Sequence, residues 1–186
     1  MRLHLLAHAA TAAARAARFP ADEPLDAGGR RAATALAGEL RDPDRLLVAP
    51  SARCRETAGL ALPDRTPDGD APEGPASGDW AGRAPADLDP AALGAWLSEP
   101  DAAPPGGESL AGLRTRVGAW MDGLEGAEAT VVLAVVDPPV VRAAVAHALR
   151  AGPHGAWRVD VAPLALAVLT GRSGRWNLRS LGQPDR

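Results

Sequence analysis

Residues Met1–Thr11 read MRLHLLAHAAT. Leu3, Leu5 and Leu6 fall in a short apolar run, and residues 1–6 are long enough for one buried strand. The run stops at Ala7-His8-Ala9, where small residues surround a single histidine. Open α/β sheets bind ligands outside the carboxyl ends of their strands, so His8 stands where such folds place their chemistry. The alternative is a histidine in a strand-to-loop corner with no chemical role, since a short motif decides little alone.

Outward from that stretch, strands and helices alternate. Ala10–Arg18 is alanine-rich and predicts a helical turn, and Phe19–Pro24 a loop. Ala32, Ala35, Leu36 and Leu40 share a face and predict a helix over Gly28–Leu40, ended by Asp42-Pro43-Asp44. Leu46–Val48 is a second strand, and Ser51 is the expected N-cap of a helix over Ala52–Leu60. Pro63–Ser77 is rich in proline, glycine and aspartate and predicts a long surface loop, the kind that serves as a lid or mobile segment. Pro90–Leu97 predicts a short helix with proline at its start. Ser109–Leu124 predicts an amphipathic helix with Leu110, Leu113, Val117, Trp120, Met121 and Leu124 on its apolar face.

Val131–Val136 is a continuous, largely β-branched apolar run and the clearest buried strand. It is expected at the core, flanked by Ser109–Leu124 and by a helix over Val140–Leu149 that Gly152-Pro153 closes. Leu164–Leu169 and Trp176–Leu181 flank Gly171–Gly174 and predict a closing hairpin. The alternation implies an α/β fold, a three-layer α/β/α sandwich around a mostly parallel sheet. With 186 residues and no internal repeat, one domain over residues 1–186 is expected.

Hydrophobic residues at 46% and charged residues at 23% suit a soluble globular chain. Aromatics are only 3%, so alanine, leucine and valine must fill the core. There is no lysine; all 20 basic residues are arginine, and the net charge of −3 argues against a nucleic-acid footprint. Cys54 is the only cysteine, so a disulfide framework is excluded; it reads as a small buried residue in a reducing, cytoplasmic setting. No apolar run approaches the roughly 20 residues that span a bilayer, so no membrane partner is expected. His4 and His8 interrupt the first apolar stretch and Arg15 and Arg18 follow it, which argues against a cleaved signal. No cofactor is expected.

His8 ends the first strand, Arg53 lies just past the second, and Asp137 ends the Val131–Val136 strand. Three polar side chains at the carboxyl ends of parallel strands can converge on one crevice. Across its length the chain resembles the histidine phosphatase superfamily, the phosphoglycerate-mutase-like proteins, and is most similar to its small α-ribazole-phosphatase-like branch. Ala7-His8-Ala9 stands where that family has Arg-His-Gly. Leu25–Ala33 resembles its Pro-Leu-Thr-x-x-Gly-x-x-Gln-Ala, and Pro50–Thr57 its Ser-Pro-Leu-x-Arg-Ala-x-x-Thr. Gly78–Gly82 resembles Gly-x-Trp-Glu-Gly, Gly106–Ser109 matches Gly-Gly-Glu-Ser, and Val135–Arg142 aligns with Val-x-His-Gly-Gly-x-Ile-Arg. Each motif is weak alone; their common order is strong.

The resemblance implies a site in which a neutral histidine attacks phosphorus and becomes a phosphohistidine. Arginines and a second histidine hold the phosphoryl oxygens, and a carboxylic acid protonates the leaving oxygen. On that pattern His8 is the nucleophile position and Arg53 a phosphate-binding arginine. The first arginine is replaced by Ala7, the following glycine by Ala9, a nearby asparagine by Ala14, the general-acid glutamate by Ala81 and the second histidine by Asp137.

Three readings follow. The first is a degenerate phosphatase-fold protein that binds or scaffolds, with a phosphorylated small molecule or other anion as partner. The second is a phosphomonoesterase with a rewired site, in which Asp79 serves as acid and Arg142, Arg15 or Arg55 supplies charge. The third is a metal site built from His8 and Asp137, with Asp79 as an optional further ligand. Asp137 itself is open to two roles: an internal anion paired with Arg53, or a cap on the helix that follows.

Overall fold

The computed structural model describes residues 1–124, 131–152 and 154–184. In chain order the elements are β1 (Arg2–Ala7), α1 (Ala12–Arg15), α2 (Ala27–Thr34), β2 (Arg45–Val48), α3 (Ala52–Ala61), β3 (Gly69–Asp70), α4 (Pro90–Ser98), α5 (Leu110–Gly123), β4 (Val131–Val136), α6 (Pro138–Ala148), β5 (Leu166–Arg172) and β6 (Arg175–Gly182). The strands form one mixed sheet in the order β3-β2-β4-β1-β5-β6, with helices around it. β3, β2, β4 and β1 run parallel, and β5 and β6 add antiparallel strands at one edge.

β4 sits between β2 and β1, and all six of its residues are buried. That is why it reads as an unbroken apolar run: a strand covered on both faces has no solvent side to carry polar residues. The α5 residues Leu113, Val117 and Met121 and the α6 residues Val140, Val141 and Ala144 share one core cluster with it. The register then positions the site. Ala7 pairs with Val136, and the His8 N–H donates to the Val136 carbonyl at 2.9 Å, so the next residues, His8 and Asp137, leave the sheet side by side.

Some expected boundaries differ. α2 stops at Thr34 instead of Leu40, because i→i−3 bonds from Leu36 and Ala37 tighten the chain and Gly38 turns it with φ of +83°. Leu36 and Leu40 still pack on the core, so their periodicity is genuine while their backbone is a series of turns. β3 lies inside the Pro63–Ser77 loop, held beside β2 by a pair of bonds between Asp68 and Leu46. α6 starts at Pro138, two residues early, since proline is at home in a first helical turn. Pro153, expected to help close α6, lies outside the described residues. The β5–β6 hairpin turns on Ser173 and Gly174, both with positive φ, the two-residue turn that suits strand twist.

Four rings tie together segments that surround the site. Phe19 meets Trp80 and Trp96 at centroid distances of 5.1 and 5.3 Å, and Trp96 meets Trp157 at 4.9 Å. Backbone bonds from Phe19 to Arg83 and from Gly82 to Phe19 fix the 19–22 loop against the segment carrying Ala81. Gly78 combines a φ of +53° with a backbone so close to Pro105 that a Cβ would lie 2.1 Å from its carbonyl oxygen. No helix among the described residues is long and apolar enough to cross a membrane.

Candidate functional site

β2, β4 and β1 are neighbours, so the residues following them converge. His8, Arg53 and Asp137 are 6%, 7% and 2% exposed and meet beneath the surface. Arg53 Nε donates to Asp137 Oδ1 at 2.5 Å, and Nη1 donates to the Ala21 carbonyl at 2.6 Å. The same Oδ1 lies 3.6 Å from His8 Nε2. Asp137 Oδ2 accepts the Gly74 N–H at 3.0 Å and the Cys54 thiol at 3.8 Å. Asp137 occupies the N-cap of α6 but makes no side-chain capping bond. Of its two sequence readings, the structure has the pair with Arg53.

The His8 ring has a defined polarity. Its Nδ1 lies 2.7 Å from the Ala9 carbonyl, which can only accept, so Nδ1 carries the hydrogen. Burial pushes the His8 pKa below its usual value, against the opposing pull of the Ala9 carbonyl and Asp137. The imidazole is therefore neutral at pH 7, with an unprotonated Nε2 facing a carboxylate oxygen rather than an ion pair. For Arg53, burial works against the charge, but Asp137 more than offsets it and the guanidinium pKa is raised. Burial, then Asp137, pushes the Cys54 thiol far up, so Cys54 remains protonated, the small buried residue that was expected.

A strap crosses this trio. The Glu73 and Gly74 carbonyls accept from Arg116 Nη2 at 2.8 and 3.1 Å. Arg116 is gripped by both oxygens of Glu108, at 2.7 and 2.8 Å. A Cβ at Gly74 would lie 3.0 Å from Asp137 Cβ and Cγ, so glycine lets the strap lie directly on the carboxylate. The expected lid is thus tied to α5 and to Asp137.

What opens to solvent is a pocket of about 360 Å³, lined among others by Asp22, Arg53, Glu73, Ala81 and Asp137. Among the described residues it presents three carboxylates and one guanidinium, and that guanidinium is already engaged. Asp22 Oδ1 accepts the Ala52 N–H at 2.8 Å. A carboxylate therefore occupies the α3 N-terminus, where a helix otherwise offers N–H groups to an anion. Ser51, expected to cap α3, makes no side-chain capping bond; the one side chain bonded to the first helical N–H, that of Ala52, is Asp22 from another loop.

The family model for histidine phosphatase superfamily (branch 1) matches residues 3–184. The chain belongs to the histidine phosphatase superfamily. Among solved structures it is similar to the α-ribazole phosphatase of Shigella flexneri, with a TM-score of 0.87 and 26% identity over 99% of this chain and 97% of that one. TTHB049 from Thermus thermophilus aligns over 100% of both chains with a TM-score of 0.78 and 28% identity. The phosphoserine phosphatase H9A mutant of Entamoeba histolytica, crystallised with phosphoserine, shares the fold at a TM-score of 0.83 and 18% identity, over 97% of this chain and 96% of that one. No curated protein sequence matches the chain significantly.

At the other positions of the superfamily motifs, Ala7 and Ala9 are wholly buried, Ala14 lies exposed in α1, and Ala81 is exposed at the pocket wall. The groups considered as replacements do not gather there. Arg15 pairs with Asp26 on the surface, Arg55 is exposed, and Arg142, whose buried Nε has no hydrogen-bond partner among the described residues, is not part of the pocket lining. Asp79 is exposed and outside the pocket lining, and the described residues hold no group of three His, Cys, Asp or Glu suited to a metal. His8 and Asp137 meet, as a metal site would need, but Asp79 does not join them. Sequence reasoning missed Gly74, Arg116 and Asp22, whose roles depend on contacts across 63, 43 and 30 residues. Glu108 was visible, as the acid of the Gly-Gly-Glu-Ser match, without its partner Arg116.

Proposed function

We propose that the chain is a catalytically degenerate histidine phosphatase that works as a binding or scaffold module in the cytoplasm, with Asp137 filling the position of the phosphate. The observation that carries this reading is the Asp137 carboxylate itself, 2.5 Å from Arg53 Nε and 3.6 Å from His8 Nε2. A phosphoryl group attacked by His8 must approach Nε2 within about 3–3.5 Å, in the space that Oδ1 holds. Ala7 supplies no second guanidinium, and Ala81 supplies no proton to the leaving oxygen. Loss of one transition-state donor commonly costs about 10²–10³ in rate, and loss of a general acid roughly 10²–10⁴.

One observation favours a second reading, a phosphomonoester hydrolase acting through a phosphohistidine at His8. The neutral ring with a free Nε2 is the form a nucleophile needs. In that mechanism Nε2 bonds to phosphorus as the alkoxide leaves, and water later cleaves the N–P bond. Asp137 must first swing away, and no acid lies at position 81 to protonate the alkoxide. The Entamoeba histolytica relative binds phosphoserine, which supports a phosphorylated small molecule or other anion as the ligand class; here such a ligand meets three carboxylates in the pocket. Hydrolysis of a generic aryl phosphate tests the choice. No His8-dependent turnover is expected; a rate near one per second that His8→Ala abolishes would overturn the first reading in favour of the second.

A further inference from the structure

A second cleft, of about 940 Å³, lies at the carboxyl end of α6. The 11 residues of that helix separate it from Asp137 by about 16 Å of rise. Its lining includes Arg114, Asp122, His147, Arg150, Arg175 and Trp176. Among the described residues of that lining, three guanidiniums face one carboxylate, the reverse of the charge around Arg53.

The walls are fixed before any ligand arrives. Asp122 Oδ1 accepts Trp176 Nε1 at 3.0 Å and His147 Nε2 at 3.2 Å, so its charge is taken up by its own wall. Gly118 makes room for the histidine, since a Cβ there would lie 2.6 Å from His147 Nδ1. Arg114 is held by the Ala151 and Gly152 carbonyls at 2.8 and 3.2 Å. The side chains of Arg150 and Arg175 have no hydrogen-bond or ion-pair partner among the described residues.

Arg150 carries a further signal. It follows the C-cap Leu149 and has a φ of +49°. Glycine is the residue favoured at that position, and a side chain there is held in a costly conformation. The turn that this φ makes sets the Arg150 side chain at the cleft, just past the end of α6.

We propose that this cleft binds a small, multiply charged anion of the phosphate-ester class, held by Arg150 and Arg175 with Arg114 behind them. The volume suits a ligand up to nucleotide size, and unpaired guanidiniums are the usual partners of phosphoryl oxygens. The inference is independent of the fate of the His8 pocket.

Inorganic pyrophosphate titrated into the full chain at low salt is the test, followed by calorimetry and by the Trp176 indole N–H resonance. Submillimolar binding that moves that resonance is expected. Arg150→Gly and Arg175→Ser should each weaken it about tenfold, the usual worth of one charge-assisted contact. His8→Gln, confined to the other pocket, should leave it unchanged. Arg150→Gly should keep or raise thermal stability, because glycine relieves the positive φ, so its weaker binding cannot be unfolding. Absence of binding at millimolar pyrophosphate overturns the proposal. So does binding that survives both arginine changes, or that His8→Gln removes.

Discussion

Asp137→Asn is expected to bind inorganic phosphate roughly a hundredfold more tightly than the wild-type chain. In the wild type, a phosphate near Arg53 and His8 meets the carboxylate that already holds Arg53 Nε at 2.5 Å. A unit charge about 4 Å from another is repelled by roughly 4 kcal/mol at an effective dielectric of 20. Solvent at the pocket mouth reduces that figure, and the remainder still amounts to about two powers of ten. The substitution also frees a guanidinium that is otherwise consumed. Asp137→His should go further, adding a donor where the superfamily motif has one. It should not restore turnover while Ala7 and Ala81 remain. Calorimetric titration of phosphate into the three proteins measures the series. A wild type that binds phosphate as well as Asp137→His would mean that Asp137 is not an internal anion.

Arg53→Leu is expected to destabilise the fold by about 3–5 kcal/mol, the usual cost of stranding one charge of a buried pair. Asp137 is 2% exposed and would keep, among the described residues, the Gly74 N–H, the weak Cys54 thiol contact and a His8 Nε2 at 3.6 Å that carries no hydrogen. The second mutation decides what that loss means. Removing both charges together, as Arg53→Leu with Asp137→Leu, should recover most of the stability, because well-packed apolar groups often replace a buried ion pair without loss. Urea unfolding of the wild type, both single variants and the double variant gives the coupling directly. A single Arg53→Leu within about 1 kcal/mol of wild type would contradict the buried pair, since only exposed pairs are worth so little.

The sequence carried what depends on local pattern. Val131–Val136 was legible because burial on both faces removes every polar position from a strand. The meeting of His8, Arg53 and Asp137 was legible because residues after adjacent parallel strands emerge together. Other features turn on partners distant in the chain. The Pro63–Ser77 loop reads as free until Arg116 and Asp137 are seen to hold it, and nothing local shows that Asp22 of the 19–22 loop reaches the Ala52 N–H at the start of α3. α2 looked longer because Leu36 and Leu40 keep helical spacing and pack on the core from turns. Asp137 was ambiguous for a different reason. Asp before Pro suits a helix cap and a buried pair equally, and only the direction of its side chain separates them.

Whether Asp137 occupies the site of a phosphoryl group is decided by a crystal structure of the wild-type chain soaked in orthovanadate. Asp137 is expected to stay on Arg53, with no vanadium bound at His8. Vanadium bonded to His8 Nε2, with Asp137 turned away from Arg53, would show instead that the carboxylate yields its place to a phosphoryl group.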